Sequence, residues 1–147
     1  LTADGPKVIE FNSRFGDPET QVILPRLTSD FAQNITDILA GRNPDITWLD
    51  SGVTLGVVVA SNGYPLAYEK GVLLPEKTGG DIITYYAGAK FDGNSQLLLS
   101  NGGRVYMLVT TADSVKAAQD KIYKKLAEQE TTGLFYRKDI GSKAVKN

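Results

Sequence analysis

The chain has 147 residues, of which 41% are hydrophobic and 22% charged, a composition typical of a globular domain with its own core. It contains no histidine and no cysteine, which excludes disulfides, a Ser-His-Asp triad and zinc sites made of these residues. The net charge of -1, the lack of a long apolar stretch and the lack of a signal-peptide pattern lead us to expect a cytoplasmic protein without nucleic-acid or membrane partners.

The first predicted element is a strand. Asp4-Gly5 is typical of a hairpin turn, and residues 7–13 alternate polar and apolar side chains as a half-buried strand does. The first strand of such a hairpin would precede Leu1. We therefore expect the chain to be a piece of a longer polypeptide.

Two helices and a linker are predicted next. Pro18 suits the first turn of a short helix that reaches Leu24, and Ser29 is expected to cap a second helix that ends before Gly41. Residues 42–50 indicate a linker, because they contain the break Asn-Pro-Asp and precede a change in composition. We place the domain boundary there, with domains at 1–46 and 47–147.

The second domain is rich in strand patterns, and strands are predicted at 55–60, 81–91, 96–100, 104–111 and 134–136. Asp113 is expected to cap an amphipathic helix, because apolar residues recur at helical spacing from Val115 to Leu126. The predicted fold class is α+β, with a small antiparallel β-rich sandwich or barrel-like domain covered by one or two helices.

Three polar residues share one face of the first predicted strand. Glu10 and Asn12 would lie about 6 to 7 Å apart by strand rise, so a carboxylate and an amide oxygen converge as Mg²⁺ requires. Arg14 follows with the same period and could neutralise charge on a transferring phosphoryl group or a substrate carboxylate. An ordinary ion pair between Glu10 and Arg14 explains the pattern equally, and the spacing leaves both open.

Four ordered blocks of sequence carry a resemblance over almost the whole chain. They are EFNSRFGDPETQ followed by LPRL, then LGVVVASNGYP, NGGRV and FYRKDIG. In this order they resemble the phosphoribosylamine-glycine ligase (glycinamide ribonucleotide synthetase) family. The resemblance implies that residues up to about Arg42 are the end of an ATP-grasp domain and the rest its small closing domain. The remaining parts of the ATP site would lie upstream of Leu1.

The resemblance also implies an activity of de novo purine biosynthesis. The family joins glycine to 5-phosphoribosylamine using ATP, and gives glycinamide ribonucleotide, ADP and phosphate through a glycyl phosphate. Glu10 and Asn12 match the ligands for Mg²⁺ or Mn²⁺, and Arg14 matches the catalytic arginine at the reacting phosphoryl group. The isolated chain is expected to be inactive.

The remaining candidates for substrate binding are Asp17, Glu19, Thr20, Arg104, Arg137 and Lys138. A carboxylate of the GDPET turn could receive the ammonium of glycine or the incoming amine, although Asp17 could instead cap the following helix. Arg104 follows a Gly-Gly turn that is either a hairpin device or a phosphate cradle. Arg137 and Lys138 either reach the ribose phosphate or are surface charge.

Two other functions are consistent with these patterns. Another ATP-grasp carboxylate-amine ligase or a carboxylase would share the Glu-x-Asn-x-Arg strand, but the GDPET and RKDIG blocks argue against it. A non-catalytic binding module is the third possibility, because an isolated chain with half of a metal site should not turn over.

Overall fold

The described residues up to 52 form turns and short helices. The computed structural model describes residues 2–11 and 13–145, and it has helix α1 at Thr20–Ile23, a 3-10 turn at Leu24–Arg26 and helix α2 at Phe31–Leu39. Thr2 and Gly5 exchange two backbone hydrogen bonds of 3.0 Å, so the predicted Asp4-Gly5 turn is formed.

The strand predicted at residues 7–13 is not formed by its described residues, which belong to neither sheet. Ile9 and Phe11 are 97% and 87% exposed although the alternating pattern predicted them to be half-buried. A strand exists only where a neighbouring strand supplies its hydrogen bonds, and no described strand lies beside this segment. The alternating pattern therefore predicts a strand, but no strand among the described residues pairs with this segment.

The two longer helices begin one residue later than predicted. Asp30, not Ser29, caps α2 by accepting a hydrogen bond of 2.9 Å from the amide of Gln33. Ser29 instead accepts from the side chain of Asn34. Both residue types are good caps, and the hydroxyl of Ser29 is used for packing, so the next residue takes the role.

Strands and one long helix form the rest of the described chain. They are β1 Val53–Ser61, β2 Ile82–Tyr86, β3 Ala89–Asp92, β4 Leu97–Ser100, β5 Arg104–Ala112, helix α3 Val115–Glu128, β6 Leu134–Tyr136 and helix α4 Ser142–Val145. Ser114, not the predicted Asp113, caps α3 by accepting from the amide of Ala117. The predicted strands and helix are otherwise confirmed, apart from a break in residues 81–91.

The larger sheet is antiparallel with the strand order β2-β5-β1-β6, and β3 and β4 form a second antiparallel pair. The predicted strand at 81–91 is divided because Gly88 packs directly on Gly102: a Cβ on Gly88 would lie 2.6 Å from the Cα of Gly102. The fold class α+β with antiparallel sheets is confirmed. The larger sheet stays open, with β2 and β6 as its outer strands, rather than closing into a barrel.

The hydrophobic core lies between α3 and one face of the larger sheet. Ala118, Ile122 and Leu126 of α3 are at most 1% exposed, and they pack in one cluster with Val57 and Val59 of β1. Burial of a side chain of this size stabilises the fold by about 1.5–3 kcal/mol. No helix in the described part of the chain combines the length and apolar character needed to span a bilayer.

Helix α1 packs against the opposite face of the larger sheet. The approach depends on Gly56 of β1, where an added Cβ would lie 2.9 Å from the side chain of Val22 and 2.0 Å from that of Met107. Arg26 strengthens this junction by donating to the backbone oxygens of Leu49 and Gly52 at 2.9 Å each. The opening segment is thereby held close to the start of β1.

Candidate functional site

A polar pocket of about 500 Å³ lies where the opening segment meets the larger sheet. The residues that line it are Glu10, Arg14, Gly16, Asp17, Glu19 and Arg104. We call this cavity the polar pocket. It brings five of the predicted site residues together, although Arg104 is distant from the others in sequence.

Arg104, at the start of β5, is bound to Asp17. One guanidinium nitrogen donates to the backbone oxygen of Asp17 at 2.7 Å, and another donates to its carboxylate at 3.1 Å. The other carboxylate oxygen of Asp17 accepts from the side-chain amide of Gln21 at 2.9 Å. The alternative that Asp17 caps α1 is wrong, because Glu19 occupies the cap position and no side chain bonds there.

The glycines before Arg104 have a packing role. A Cβ on Gly103 would lie 2.1 Å from the ring of Tyr64, and Ser61 donates its hydroxyl to the backbone oxygen of Gly102 at 2.9 Å. The turn is therefore packed against the end of β1. This packing explains why glycine is needed at both positions, so a phosphate-binding role is not required to explain them. It also fixes the backbone position of Arg104.

Thr20 and Gly16 close the turn that carries Glu19. The hydroxyl and the amide of Thr20 both donate to the backbone oxygen of Gly16. A Cβ on Gly16 would lie 2.2 Å from a carboxylate oxygen of Glu19, so the absence of a side chain leaves room for that carboxylate. Thr20 thus contacts its own turn and does not line the polar pocket.

Glu10 and Arg14 line the polar pocket, and both residues are exposed. Arg14 donates to the backbone oxygen of the next residue, Phe15, at 3.0 Å. Asn12, the second predicted metal ligand, lies outside the described residues. Among those that are described, no group of three acidic residues is placed to hold a metal ion.

The donor chemistry of the pocket fits a hard cation. Glu10 offers a carboxylate, and the chain has no histidine or cysteine for softer metals. Mg²⁺ is usually bound by one or two carboxylates and completes its shell with substrate phosphates and water. The carboxylate of Glu10 is compatible with that mode.

An apolar groove of about 480 Å³ adjoins the polar pocket. Its lining includes Val22, Gly56, Met107 and Arg137, and it shares Glu19 with the polar pocket. We call it the apolar groove. Glu19 therefore lines both cavities.

Arg137 is at the edge of this groove and is paired with Asp139. Its guanidinium donates to both carboxylate oxygens of Asp139, at 2.9 and 2.7 Å, and these bonds hold the pKa of Asp139 below its ordinary value. Both side chains are more than half exposed. Lys138 is also exposed but does not line the groove, so the structure separates the two predicted cations.

Sequence reasoning missed the residues that assemble the site. Gln21 orients Asp17, Gly56 admits α1 to the sheet, and Arg26 binds the linker before β1. The contacts of Gly56 and Arg26 join residues more than 20 positions apart, so no local pattern marks them, whereas Gln21 and Asp17 are four positions apart. All three residues lie in the blocks of sequence that carried the family resemblance.

Comparison with known proteins shows the family to which the chain belongs. The family described as the phosphoribosylglycinamide synthetase C domain matches residues 54–143, which is more than half of the sequence. The chain belongs to this family. The match begins just inside β1, so it includes Arg104 and Arg137, and the GDPET turn precedes it.

Similar proteins extend the comparison over nearly the whole chain. A protein of Streptococcus pyogenes named phosphoribosylamine-glycine ligase is 82% identical over 146 residues, and one of Streptococcus pneumoniae with the same name is 78% identical. A crystal structure of phosphoribosylamine-glycine ligase from Thermotoga maritima has a TM-score of 0.74 and 33% identity over 95% of this chain. The chain spans about a third of these proteins, 35% of the streptococcal ones and 34% of the solved one.

Proposed function

We propose that this chain is the C-terminal part of a longer ligase, called the intact ligase below. It joins glycine and 5-phosphoribosylamine at the cost of ATP, and gives glycinamide ribonucleotide, ADP and phosphate. The proposal is supported by relatives named phosphoribosylamine-glycine ligase that are up to 82% identical over 99% of this chain. Residues 1–46 would then be the end of an ATP-grasp domain and residues 47–147 the small domain that closes it.

The observation that carries the proposal is the composition of the polar pocket. Glu10 and Arg14 come from the first part of the chain, and Arg104 comes from the second. Ligation of a carboxylate through ATP requires reactants to be positioned and negative charge to be neutralised more than it requires a basic side chain. A pocket of carboxylates and arginines in a chain without histidine suits that chemistry.

In the proposed mechanism the glycine carboxylate attacks the γ-phosphorus of ATP, and ADP leaves. The amine of phosphoribosylamine then attacks the carbonyl carbon of the glycyl phosphate, forms the amide bond and releases phosphate. Arg14 is the catalytic residue that neutralises charge on the transferring phosphoryl group. Glu10 and Asn12 would hold Mg²⁺ or Mn²⁺, which when bound neutralises the phosphates of ATP.

The apolar groove is the proposed place for phosphoribosylamine. Arg137 lies at its edge, where a guanidinium can pair with the dianionic phosphate of this substrate. To do so it must exchange Asp139 for the phosphate. Because both members of the pair are exposed, this exchange has a low cost.

Substitution of Glu10 tests the proposed function. We expect Glu10→Gln in the intact ligase to lower kcat by ~10² or more, the usual loss when one electrostatic contact to a transition state is removed. The substitution preserves volume, so circular dichroism should be unchanged. The matched control is Glu76→Gln, an exposed residue outside the polar pocket, which should leave kcat unchanged. Turnover within twofold of wild type in the Glu10 variant would refute the role.

A further inference from the structure

Carboxylates of three residues line the polar pocket, and each of them could bind the ammonium group of glycine. The candidates are Glu10, Asp17 and Glu19. Glycine is a zwitterion at neutral pH, so its carboxylate and its ammonium need oppositely charged partners a short distance apart. Glu10 is the proposed metal ligand, which leaves Asp17 and Glu19.

The carboxylate of Asp17 is already engaged by two side chains of the protein. One oxygen accepts from Gln21 and the other from Arg104, and Arg104 also binds the backbone oxygen of Asp17. The positive charge of Arg104 offsets the negative charge of Asp17. An ammonium group at this carboxylate would compete with a guanidinium that is fixed at two points.

Glu19 offers a carboxylate without such a partner. It is the cap residue of α1 but makes no side-chain cap bond, and within the described part of the chain no hydrogen bond or ion pair reaches its carboxylate. The side chain is exposed. Its charge is thus available to a ligand, whereas the charge of Asp17 is used internally.

Gly16 leaves room for this carboxylate. One oxygen of Glu19 lies where a Cβ of residue 16 would be, at 2.2 Å, so only glycine leaves the space free. The backbone of Gly16 does not have a positive φ, which means that the glycine is not required by its conformation. The Glu19 carboxylate therefore occupies the space that a side chain at position 16 would need.

Glu19 also lies at the border between the polar pocket and the apolar groove. It lines the polar pocket together with Arg14, and it lines the apolar groove together with Arg137. In an amino acid whose carboxylate reacts beside Arg14, the ammonium is bonded to the neighbouring carbon. It can therefore reach a carboxylate at the border between the two cavities. Building on the proposed function, we propose that Glu19 binds the ammonium of glycine and makes the site specific for an α-amino acid.

The test compares single variants of the intact ligase in a phosphate-release assay. Glu19→Gln should raise KM for glycine by ~10-fold or more, the loss of about 1.4 kcal/mol of charge-assisted binding, and leave KM for ATP and phosphoribosylamine within twofold. Glu76→Gln, an exposed residue that lines neither cavity, is the matched control and should leave all three KM values unchanged, and Asp17→Asn should raise KM for glycine less than Glu19→Gln does. Gly16→Ala displaces the Glu19 carboxylate without removing it, so it should give an intermediate increase.

Glycolate separates ammonium binding from a structural role. This molecule has the carboxylate of glycine and a hydroxyl in place of the ammonium. As a competitive inhibitor, glycolate should have the same inhibition constant for wild type and for Glu19→Gln, whereas KM for glycine should differ between the two proteins. Equal weakening of glycine and glycolate, or of all three substrates, would overturn the assignment, as would an unchanged KM for glycine. A wild-type intact ligase without glycine-dependent phosphate release would instead refute the proposed function itself.

Discussion

The ion pair between Asp17 and Arg104 is half-exposed, with 48% and 40% of the side chains accessible. Pairs of this kind contribute only ~0–1 kcal/mol to folding, so the contact is of little use as a source of stability. Its geometry is more informative, because Arg104 binds two acceptors of a single residue. We infer that the contact aligns the turn that carries Glu19 with the start of β5.

Arg137 and Lys138 give a second prediction at the scale of residues. Arg137→Ala in the intact ligase should raise KM for phosphoribosylamine by ~10-fold, equivalent to about 1.4 kcal/mol, because a charge-assisted bond to the phosphate is lost. Lys138→Ala is its neighbouring control and should have a smaller effect, since Lys138 does not line the groove. Steady-state kinetics with each substrate varied in turn measure both.

Two results would contradict this prediction. Unchanged constants in both variants would make the pair surface charge. A parallel increase in KM for glycine, ATP and phosphoribosylamine would mean that the proposed closing of the two domains is damaged, and that the RKDIG block is structural.

Among the elements, β5 places a tyrosine in the core. Tyr106 is 1% exposed, donates its hydroxyl to the side chain of Gln129 at 3.2 Å, and packs beside Tyr86. Burial raises the pKa of Tyr106 above its ordinary value. The folded state therefore keeps the neutral phenol at a pH where the unfolded chain ionises.

This pKa shift predicts a loss of stability at high pH. A raised pKa stabilises the folded state below the unfolded value, near pH 10, and the contribution is lost as pH rises above it. Between pH 8 and pH 11 the free energy of unfolding should fall by about 1.4 kcal/mol more in wild type than in Tyr106→Phe. Urea denaturation of the chain at both pH values measures this difference, and equal decreases in the two proteins would contradict it.

At the scale of the whole molecule, the core is unevenly distributed. Within the described residues up to 52, only Asn34 is buried, whereas β1, β5 and α3 supply most of the buried apolar side chains. Stability is therefore concentrated after residue 53. The residues of the polar pocket that precede it depend on α1 and Arg26 for their position.

This distribution predicts the behaviour of the 147-residue chain by itself. It should fold cooperatively from Val53 onward, with slow amide exchange in β1, β5 and α3 and fast exchange in residues 2–11 and 13–19. It should show neither ATPase nor ligase activity, because the proposed ATP site includes parts that this chain does not contain. Detectable formation of glycinamide ribonucleotide by the purified chain would contradict the prediction.

Local patterns in the sequence were sufficient for most elements of the fold. The strands and the amphipathic helix α3 follow from periods of two and 3.6 residues, which depend only on neighbours along the chain. The candidates Glu10, Arg14, Asp17 and Glu19 were also accessible, because they are close together in sequence and carry the family resemblance. The predicted N-caps of α2 and α3 lie one residue before the observed ones, because in each case two adjacent residues are both good caps.

Tertiary structure alone decided how these parts meet. The sequence determined that carboxylates and arginines cluster in the opening segment, but it did not indicate that Arg104 binds Asp17, that Arg137 borders the apolar groove, or that Glu19 lines both cavities. Nor did it reveal that the described residues of the alternating segment 7–13 form no strand. Such contacts depend on which faces pack together and on whether a partner strand is present, and neither is encoded in the spacing of nearby residues.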